Sequence, residues 1–213
     1  LADGAGFLSW SEENELRLWG PGGEFRALLS GHKGRVAGAL ELANGAGFLS
    51  WSSEDNLRLW GLAGEQGPVL SGHKSWVKGT LALADGMGFL SWSEDSTLRL
   101  WQADGQSGEV LRGHEAAVRG ALALADGMGF LSWSEDRTLR LWGPDGQSGE
   151  VLRGHENPVW GALALADGAG FLSWSLDATL RLWDSEGQQV TVLHGHESAV
   201  YGALALANGT GFL

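Results

Sequence analysis

The chain has 213 residues, 43% of them apolar and 19% charged, and a formal net charge of −12. This composition is typical of a globular protein and not of a disordered one, and the acidic charge argues against nonspecific binding to nucleic acid or to an anionic membrane. The absence of cysteine excludes a disulfide framework and thiolate metal sites, and no apolar run approaches the roughly 20 residues that span a bilayer.

The sequence repeats itself at a period of 41 residues. The pentapeptide FLSWS begins at Phe7 and recurs in every period, and a GH pair and an RLW triplet recur with the same spacing. The last eight residues, LANGTGFL, restate the first eight, LADGAGFL. Self-similarity at a period of about 40–45 residues is typical of β-propellers and other stacked arrays.

The predicted elements follow one another in the same order in each period, as residues 158–196 illustrate. PVWGALALA predicts a first strand, DGAG a turn and FLSWS a second strand. A polar LDA turn precedes TLRLW, where apolar and polar residues alternate, and DSEGQQ separates this third strand from VTVLHGH. No stretch has a helical period. The sequence therefore predicts an all-β protein of four-stranded antiparallel blades, closed radially as a β-propeller with five repeats visible.

The order of these motifs resembles the WD-repeat family over essentially the whole chain. GH precedes the first strand, S-x-S lies on the second, and an acidic turn precedes T-L-R-L-W. The resemblance implies a propeller in which each blade holds a hydrogen-bonded structural set of a GH histidine, a second-strand serine, a third-strand tryptophan and a turn acid. The Trp-Asp pair that names the family occurs only at Trp183-Asp184.

Carried over residue by residue, one such set is His114, Ser132, Trp142 and Asp136, with Ser134 as an alternative serine. The acid position of the five repeats is Glu13, Glu54, Asp95, Asp136 and Asp177. The implied histidines and tryptophans are His32, His73, His114, His155, His196, Trp19, Trp60, Trp101, Trp142 and Trp183.

A second tryptophan stands at the centre of every FLSWS. The family usually has a small residue there, and a large one late on the first strand, where this chain has Glu41 or alanines such as Ala82. We therefore expect the indole to fill the volume that the large residue would occupy, because packed cores tolerate swaps that conserve volume. A ring of sugar-stacking tryptophans is the alternative. The tryptophans concerned are Trp10, Trp51, Trp92, Trp133 and Trp174.

Differences between repeats indicate candidate binding positions, because the shared residues form the scaffold. Residues 82–122 and 123–163 differ at six positions, and the resemblance places four of them near one rim of the propeller. Aromatic and arginine side chains dominate interface hot spots, whereas drift in tolerant loops is the alternative explanation. The predicted partner-binding rim comprises Arg35, Trp76, Lys78, Arg119, Arg137, Trp160 and Tyr201.

Catalytic and metal chemistry has little support in the sequence. The GH histidines and turn acids recur in every repeat, as structural residues do, and His194 and His196 lack a third metal ligand. The DGAG and DGMG turns lack the GK[ST] sequence of a phosphate loop. We expect no enzymatic activity, no cofactor and no metal. Paired turn acids of the glycosidase kind are the enzymatic alternative.

The sequence thus predicts a non-catalytic interaction platform, a scaffold or sensor module that binds a protein or peptide on one rim. A lectin-like propeller is the alternative. We expect a cytoplasmic protein with no nucleic-acid or membrane partner, and one propeller domain over residues 1–213. Because the chain begins within a blade, we expect a fragment of a larger ring or chain, or self-association that completes the ring. The alternative is a closed ring of five blades within this chain. The sequence is equally compatible with natural amplification of one repeat unit and with a designed array.

Overall fold

The computed structural model describes residues 6–205 except 44, 84, 85, 87, 125, 126, 128, 166, 167 and 169. Its regular structure consists of 19 strands in five antiparallel sheets, with no α-helix in that part of the chain. The predicted all-β fold with a repeating four-stranded meander is confirmed. The comparison of the two terminal octapeptides falls on residues 206–213, which lie outside the described part.

The chain divides into two compact units, residues Leu1–Val110 and Leu111–Leu213. The first unit holds three sheets, except for Leu111, the last residue of sheet III. Sheet I contains β1 (Phe7–Trp10), β2 (Leu16–Trp19) and β3 (Phe25–Leu29). Sheet II contains β4 (Val36–Glu41), β5 (Phe48–Ser52), β6 (Asn56–Trp60) and β7 (Gln66–Ser71). Sheet III contains β8 (Val77–Ala82), β9 (Gly88–Ser93), β10 (Leu98–Gln102) and β11 (Ser107–Leu111).

The second unit holds two four-stranded sheets. Sheet IV contains β12 (Val118–Ala123), β13 (Phe130–Ser134), β14 (Leu139–Trp142) and β15 (Ser148–Leu152). Sheet V contains β16 (Val159–Ala164), β17 (Phe171–Ser175), β18 (Leu180–Trp183) and β19 (Gln189–Leu193). The segment SAVYGALALA near the end of the chain resembles the first strand of the preceding repeat, and its last two residues lie outside the described part. Residues 201–204 are in no strand because they have no ladder partner among the described residues, and Ala205 forms an isolated bridge.

In sheets II to V both faces of the FLSWS strand are buried, which explains why serine alternates there with large apolar side chains. In β13, Ser132 and Ser134 lie on one face with Phe130, and Leu131 and Trp133 lie on the other. Within each unit the Leu-rich face of one sheet packs against the Val, Phe and Trp side chains of the next. Burying one such side chain fully stabilises the fold by about 1.5–3 kcal/mol. The three clusters are Leu16, Leu18, Leu29, Val36, Phe48, Trp60; Leu42, Leu49, Leu57, Leu59, Leu70, Val77, Phe89, Trp101; and Leu131, Leu139, Leu152, Val159, Ala162, Phe171, Trp183.

A β-bulge interrupts the first strand of each four-stranded sheet. The register shifts between Val118 and Gly120 in sheet IV, so that Arg119 has no residue opposite it. The same shift occurs in the other three sheets at Ala37, Lys78 and Trp160. A bulge bends the strand and redirects the side chain of the extra residue. Each bulged residue follows the first-strand valine, and three of them, Lys78, Arg119 and Trp160, belong to the predicted partner-binding rim.

None of the described residues belongs to a helix with the length and apolar character needed to cross a membrane.

Candidate functional site

A set of four hydrogen-bonded side chains is formed in full in sheets III, IV and V. In sheet IV, His114 Nδ1 lies 2.8 Å from Asp136 Oδ2, and His114 Nε2 lies 2.8 Å from Ser132 Oγ. The indole N–H of Trp142 donates to the same hydroxyl at 2.8 Å. The equivalent contacts of sheets III and V measure 2.8–3.0 Å and join His73, Asp95, Ser91, Trp101 and His155, Asp177, Ser173, Trp183.

The structure assigns different partners to the two serines of S-x-S. Ser132 takes part in the set, whereas the Ser134 hydroxyl donates to the Ala116 carbonyl at 3.1 Å and accepts the Asp136 N–H at 3.0 Å. Sequence reasoning missed a fifth member, the threonine of T-L-R-L-W. Thr138 donates its hydroxyl to Asp136 Oδ1 at 2.7 Å. Its recurrence as Thr97, Thr138 and Thr179 two residues after each Asp was the available signal.

Sheet II has a different set, because its acid is a glutamate. Glu54 Oε2 lies 3.6 Å from His32 Nδ1, and this buried nitrogen has no hydrogen-bond partner among the described residues. The Ser52 hydroxyl and the Asn56 side-chain oxygen are also buried and, in the same part of the chain, without a partner. His32 Nε2 and the Trp60 indole still meet at Ser50 Oγ, at 2.7 and 2.8 Å.

The set is incomplete at the predicted residues of the first and last repeats. Trp19 donates to Ser9 Oγ at 2.8 Å, and Glu13 lies 3.5 Å from Arg17 in an exposed ion pair. His196 is exposed, as is His194.

Burial and hydrogen bonding fix the charge state of the sets. Burial lowers the pKa of His155, so the ring is neutral near pH 7. Burial raises the pKa of Asp177, but hydrogen bonds from Thr179, the Glu156 N–H and His155 outweigh it and bring that pKa to about 2. The Nδ1–H therefore donates to a carboxylate, and Nε2 accepts the Ser173 hydroxyl. The Ser173 hydroxyl also accepts the Trp183 indole N–H and is fully buried, so the four side chains link the loop before the first strand to the second and third strands.

The same balance holds in the neighbouring sets. Burial raises the pKa of Asp95 and of Asp136, but their hydrogen bonds with His73 and His114, and with the threonines, outweigh it and lower both. Burial also lowers the pKa of His32 against the opposing effect of Glu54. The described residues contain no group of three His, Asp or Glu side chains placed to hold a metal.

The FLSWS tryptophans pack against glycines of the neighbouring first strand. Trp92 is paired with Gly79, and a Cβ built on that glycine would lie 2.4 Å from the indole Cζ2. Ala82 is paired with Phe89, on the opposite face of the sheet from Trp92. The expectation that the indole fills the volume beside this alanine is therefore wrong.

Burial of these indoles follows the number of strands beside them. Trp51, Trp92, Trp133 and Trp174 are half-buried, whereas Trp10 in the three-stranded sheet I is 43% exposed. Trp51 and Trp133 pack against the core clusters. The indole N–H groups of the four half-buried rings have no hydrogen-bond partner among the described residues. These rings therefore contribute to packing, and their indole nitrogen is the one polar atom that this packing leaves without a partner among the described residues.

Three predicted rim residues of the first unit lie together. The Trp76 ring is 50% exposed, and Lys78 Nζ lies 5.0 Å from its centroid and 2.6 Å from Glu94 Oε1. Arg35 lies 3.5 Å from Glu12 in an exposed ion pair. Trp76, Lys78 and Arg35 line one cleft together with Trp10. A cation over an aromatic face is stabilised by the ring quadrupole.

Three predicted rim residues of the second unit form a continuous row. The Arg119 guanidinium lies 4.6 Å from the centroid of the Trp160 ring and forms an ion pair with Glu135. Tyr201 contacts Trp160 edge to face, with 5.8 Å between centroids, and is 69% exposed. The remaining predicted rim residue, Arg137, is exposed and occupies the left-handed region with φ 72°. The glutamates that pair with Lys78 and Arg119 were not predicted from the sequence.

Comparison with known proteins agrees with this geometry. Residues 146–184 match the family model described as WD domain, G-beta repeat. The matched segment spans β15 to β18 and ends at the Trp183-Asp184 pair. No curated protein matches the chain. The match covers one repeat, and the repeated four-stranded sheets of the chain are consistent with a WD-repeat propeller.

Proposed function

We propose that this chain is a non-catalytic platform that binds a protein or peptide through one rim, formed by residues that flank its first-strand valines and by Arg137 in the turn between β13 and β14. WD repeats generally mediate protein–protein interaction. The observation that carries the proposal is the placement of Lys78, Arg119 and Trp160 at β-bulges, where each contacts an aromatic or basic neighbour. The proposed rim comprises Arg35, Trp76, Lys78, Arg119, Arg137, Trp160 and Tyr201.

The exposure of the aromatic rings supports this role. Trp76 and Tyr201 leave half or more of their surface to solvent, although the chain has extensive cores in which such rings could be buried. Large, rigid side chains of this kind bury much area in a complex and lose little conformational entropy. The side chains of the turn acids in sheets III to V are committed to hydrogen bonds, which is consistent with a non-catalytic role.

Further parts of the proposal concern location and assembly. We propose that the protein is cytoplasmic and has no nucleic-acid partner. We also propose that residues 1–213 form a single domain and that self-association completes a ring. The lectin alternative is not proposed, because four of its five candidate tryptophans pack against glycines and not toward solvent.

A rim variant tests the platform function. Replacing Trp76, Trp160 and Tyr201 together by serine should reduce capture of a partner from a lysate of the source organism by at least tenfold, because each hot-spot side chain contributes about 2 kcal/mol or more. The matched control replaces Phe25, Leu28 and Val190, which are similarly exposed and lie on the last strands of their sheets. Circular dichroism and thermal melting establish that both variants are folded. Equal capture by the parent and the rim variant would refute the rim as the binding site.

A further inference from the structure

The side chain that follows each GH histidine is positively charged in the first unit and negatively charged in the second. It is Lys33 and Lys74 in the first unit, and Glu115, Glu156 and Glu197 in the second. Both lysines are exposed, and neither ammonium group forms an ion pair with any described residue. In a chain of net charge −12, two unpaired cations at equivalent positions are a local reversal of the overall charge.

The two lysines line a cleft on one side of Trp76. This cleft, of about 620 Å³, is also lined by Arg58, Ser75 and Trp76 itself. A second cleft of about 510 Å³ adjoins it, since Trp76 and Ser53 line both, and Arg35 and Lys78 belong to the second. We call Lys33, Ser53, Lys74, Trp76 and Lys78 the Trp76 surface. Its size suits several residues of an extended peptide better than one side chain.

Carboxylates are present at the clefts, but most of them are already engaged. Glu54 accepts the Lys33 backbone N–H at 2.6 Å and faces His32, and Glu12 faces Arg35. Asp55 is the remaining acid among the residues that line the two clefts. The lysine ammonium groups are therefore left to attract an anion from outside the chain.

We propose that the Trp76 surface binds an acidic peptide segment of a partner protein. The inference rests on the proposed platform function and names the chemistry of its partner. Carboxylates of the segment pair with Lys33 and Lys74, and one apolar residue packs on the exposed half of the Trp76 ring. The acidic remainder of the chain repels such a segment, so binding is directed to this surface.

The second unit provides the contrast within the same chain. Where the first unit has Lys74 and Trp76, sheet IV has Glu115 and Ala117, and sheet V has Glu156 and Pro158. An acidic segment would meet like charge and no equivalent ring at these positions. Binding is therefore specific to the first unit.

Selection from a phage-displayed library of random dodecapeptides tests the proposal on the 213-residue chain. We expect the enriched peptides to contain an excess of Asp and Glu around one aromatic or aliphatic residue. A fluorescein-labelled copy of the best peptide should lose at least tenfold in affinity to the Lys33→Glu, Lys74→Glu variant. Its affinity for an Arg112→Glu, Arg153→Glu variant, which has the same net charge and alters two exposed arginines, should change less than twofold. Raising the salt concentration should weaken binding, because exposed charges are screened.

The outcomes separate this inference from the function on which it rests. Peptides without an acidic excess, or equal binding by the Lys33→Glu, Lys74→Glu variant, overturn the acidic partner. If peptides without an acidic excess still lose affinity to a Trp76→Ala variant, the platform function stands and only the acidic nature of the partner is overturned. If no enriched peptide depends on Trp76, or none is enriched at all, the Trp76 surface is overturned as a binding site, and capture by the Trp76, Trp160, Tyr201 variant decides the platform function separately.

Discussion

The set in sheet II differs from those in sheets III to V at two residues, since Glu54 is one methylene longer than their aspartates and Asn56 replaces their threonine. With Asp95, both carboxylate oxygens are used, by His73 and the Lys74 N–H on one side and by Thr97 on the other. With Glu54, the buried His32 Nδ1, Ser52 hydroxyl and Asn56 oxygen lack partners among the described residues. Each buried polar group without a partner costs about 1–3 kcal/mol.

Converting this set to the sequence of its neighbours should stabilise the protein. We expect the double substitution Glu54→Asp, Asn56→Thr to raise the free energy of unfolding by about 1–3 kcal/mol, because it supplies partners for the buried atoms. Urea unfolding of the parent and the variant measures the difference.

The reverse change provides the control for the substitution in sheet II. Asp95→Glu, Thr97→Asn in sheet III should destabilise by a similar amount. An unchanged or lower stability of the sheet II variant would show that the glutamate set is satisfied in another way.

At the scale of the strand, a glycine on the first strand accommodates the tryptophan on the second. A Cβ on Gly120 would lie 2.2 Å from Trp133 Cζ2, and Gly38, Gly79 and Gly161 stand in the same relation to their rings. The indole thus covers the strand backbone directly. This close approach explains why a large ring fits in a strand whose two neighbouring serines are fully buried.

Filling this space should displace the ring. We expect Gly120→Ala to lower the free energy of unfolding by about 1–3 kcal/mol through overpacking. Gly202 occupies the equivalent position, and a Cβ on it would have no described atom within 4 Å, so Gly202→Ala should change stability by less than about 0.5 kcal/mol. Thermal unfolding of both variants measures the effect. Equal costs would mean that backbone conformation, and not the ring, requires glycine.

The strands were predictable, whereas the exact neighbours of their side chains were not. Recurrence of FLSWS and TLRLW defined β13 and β14, and the family resemblance indicated Ser132 as a partner of Trp142. The glycine that follows Arg119 is a signal for a bulge, but it fixes neither the direction of the Arg119 side chain nor the ion pair with Glu135. The pairing of Trp92 with Gly79 depends on the equivalent bulge at Lys78, because the register shift sets which residue lies opposite the ring.

For the molecule as a whole, the buried sets make stability depend on pH. His32 and His155 have pKa values below their ordinary value of 6.5, so the unfolded chain binds more protons at lower pH. Their contribution is complete above pH 6.5 and is lost as the pH falls through the lowered values. Asp95, Asp136 and Asp177 contribute above about pH 4 and lose this as the pH falls further, toward about 2 for Asp177.

Stability should therefore decline in two stages on acidification. We expect the thermal midpoint to be constant between pH 7 and 8, to fall below pH 6.5 and to fall again below pH 4. A His155→Gln variant should be less stable at pH 7 but show a smaller first decline. A midpoint that does not change between pH 7 and 5 would contradict neutral, buried histidines.

The bulge in each first strand holds one variable residue between two residues that are needed for packing. This arrangement has an evolutionary consequence. In each four-stranded sheet the valine and the glycine belong to the packing, and the single bulged residue between them varies as Ala37, Lys78, Arg119 or Trp160. In-frame recombination between copies of the repeat in the gene would preserve every packing contact within a sheet while reordering these side chains. Such a gene can change the side chains at the bulges by shuffling existing codons, without passing through a variant that fails to fold.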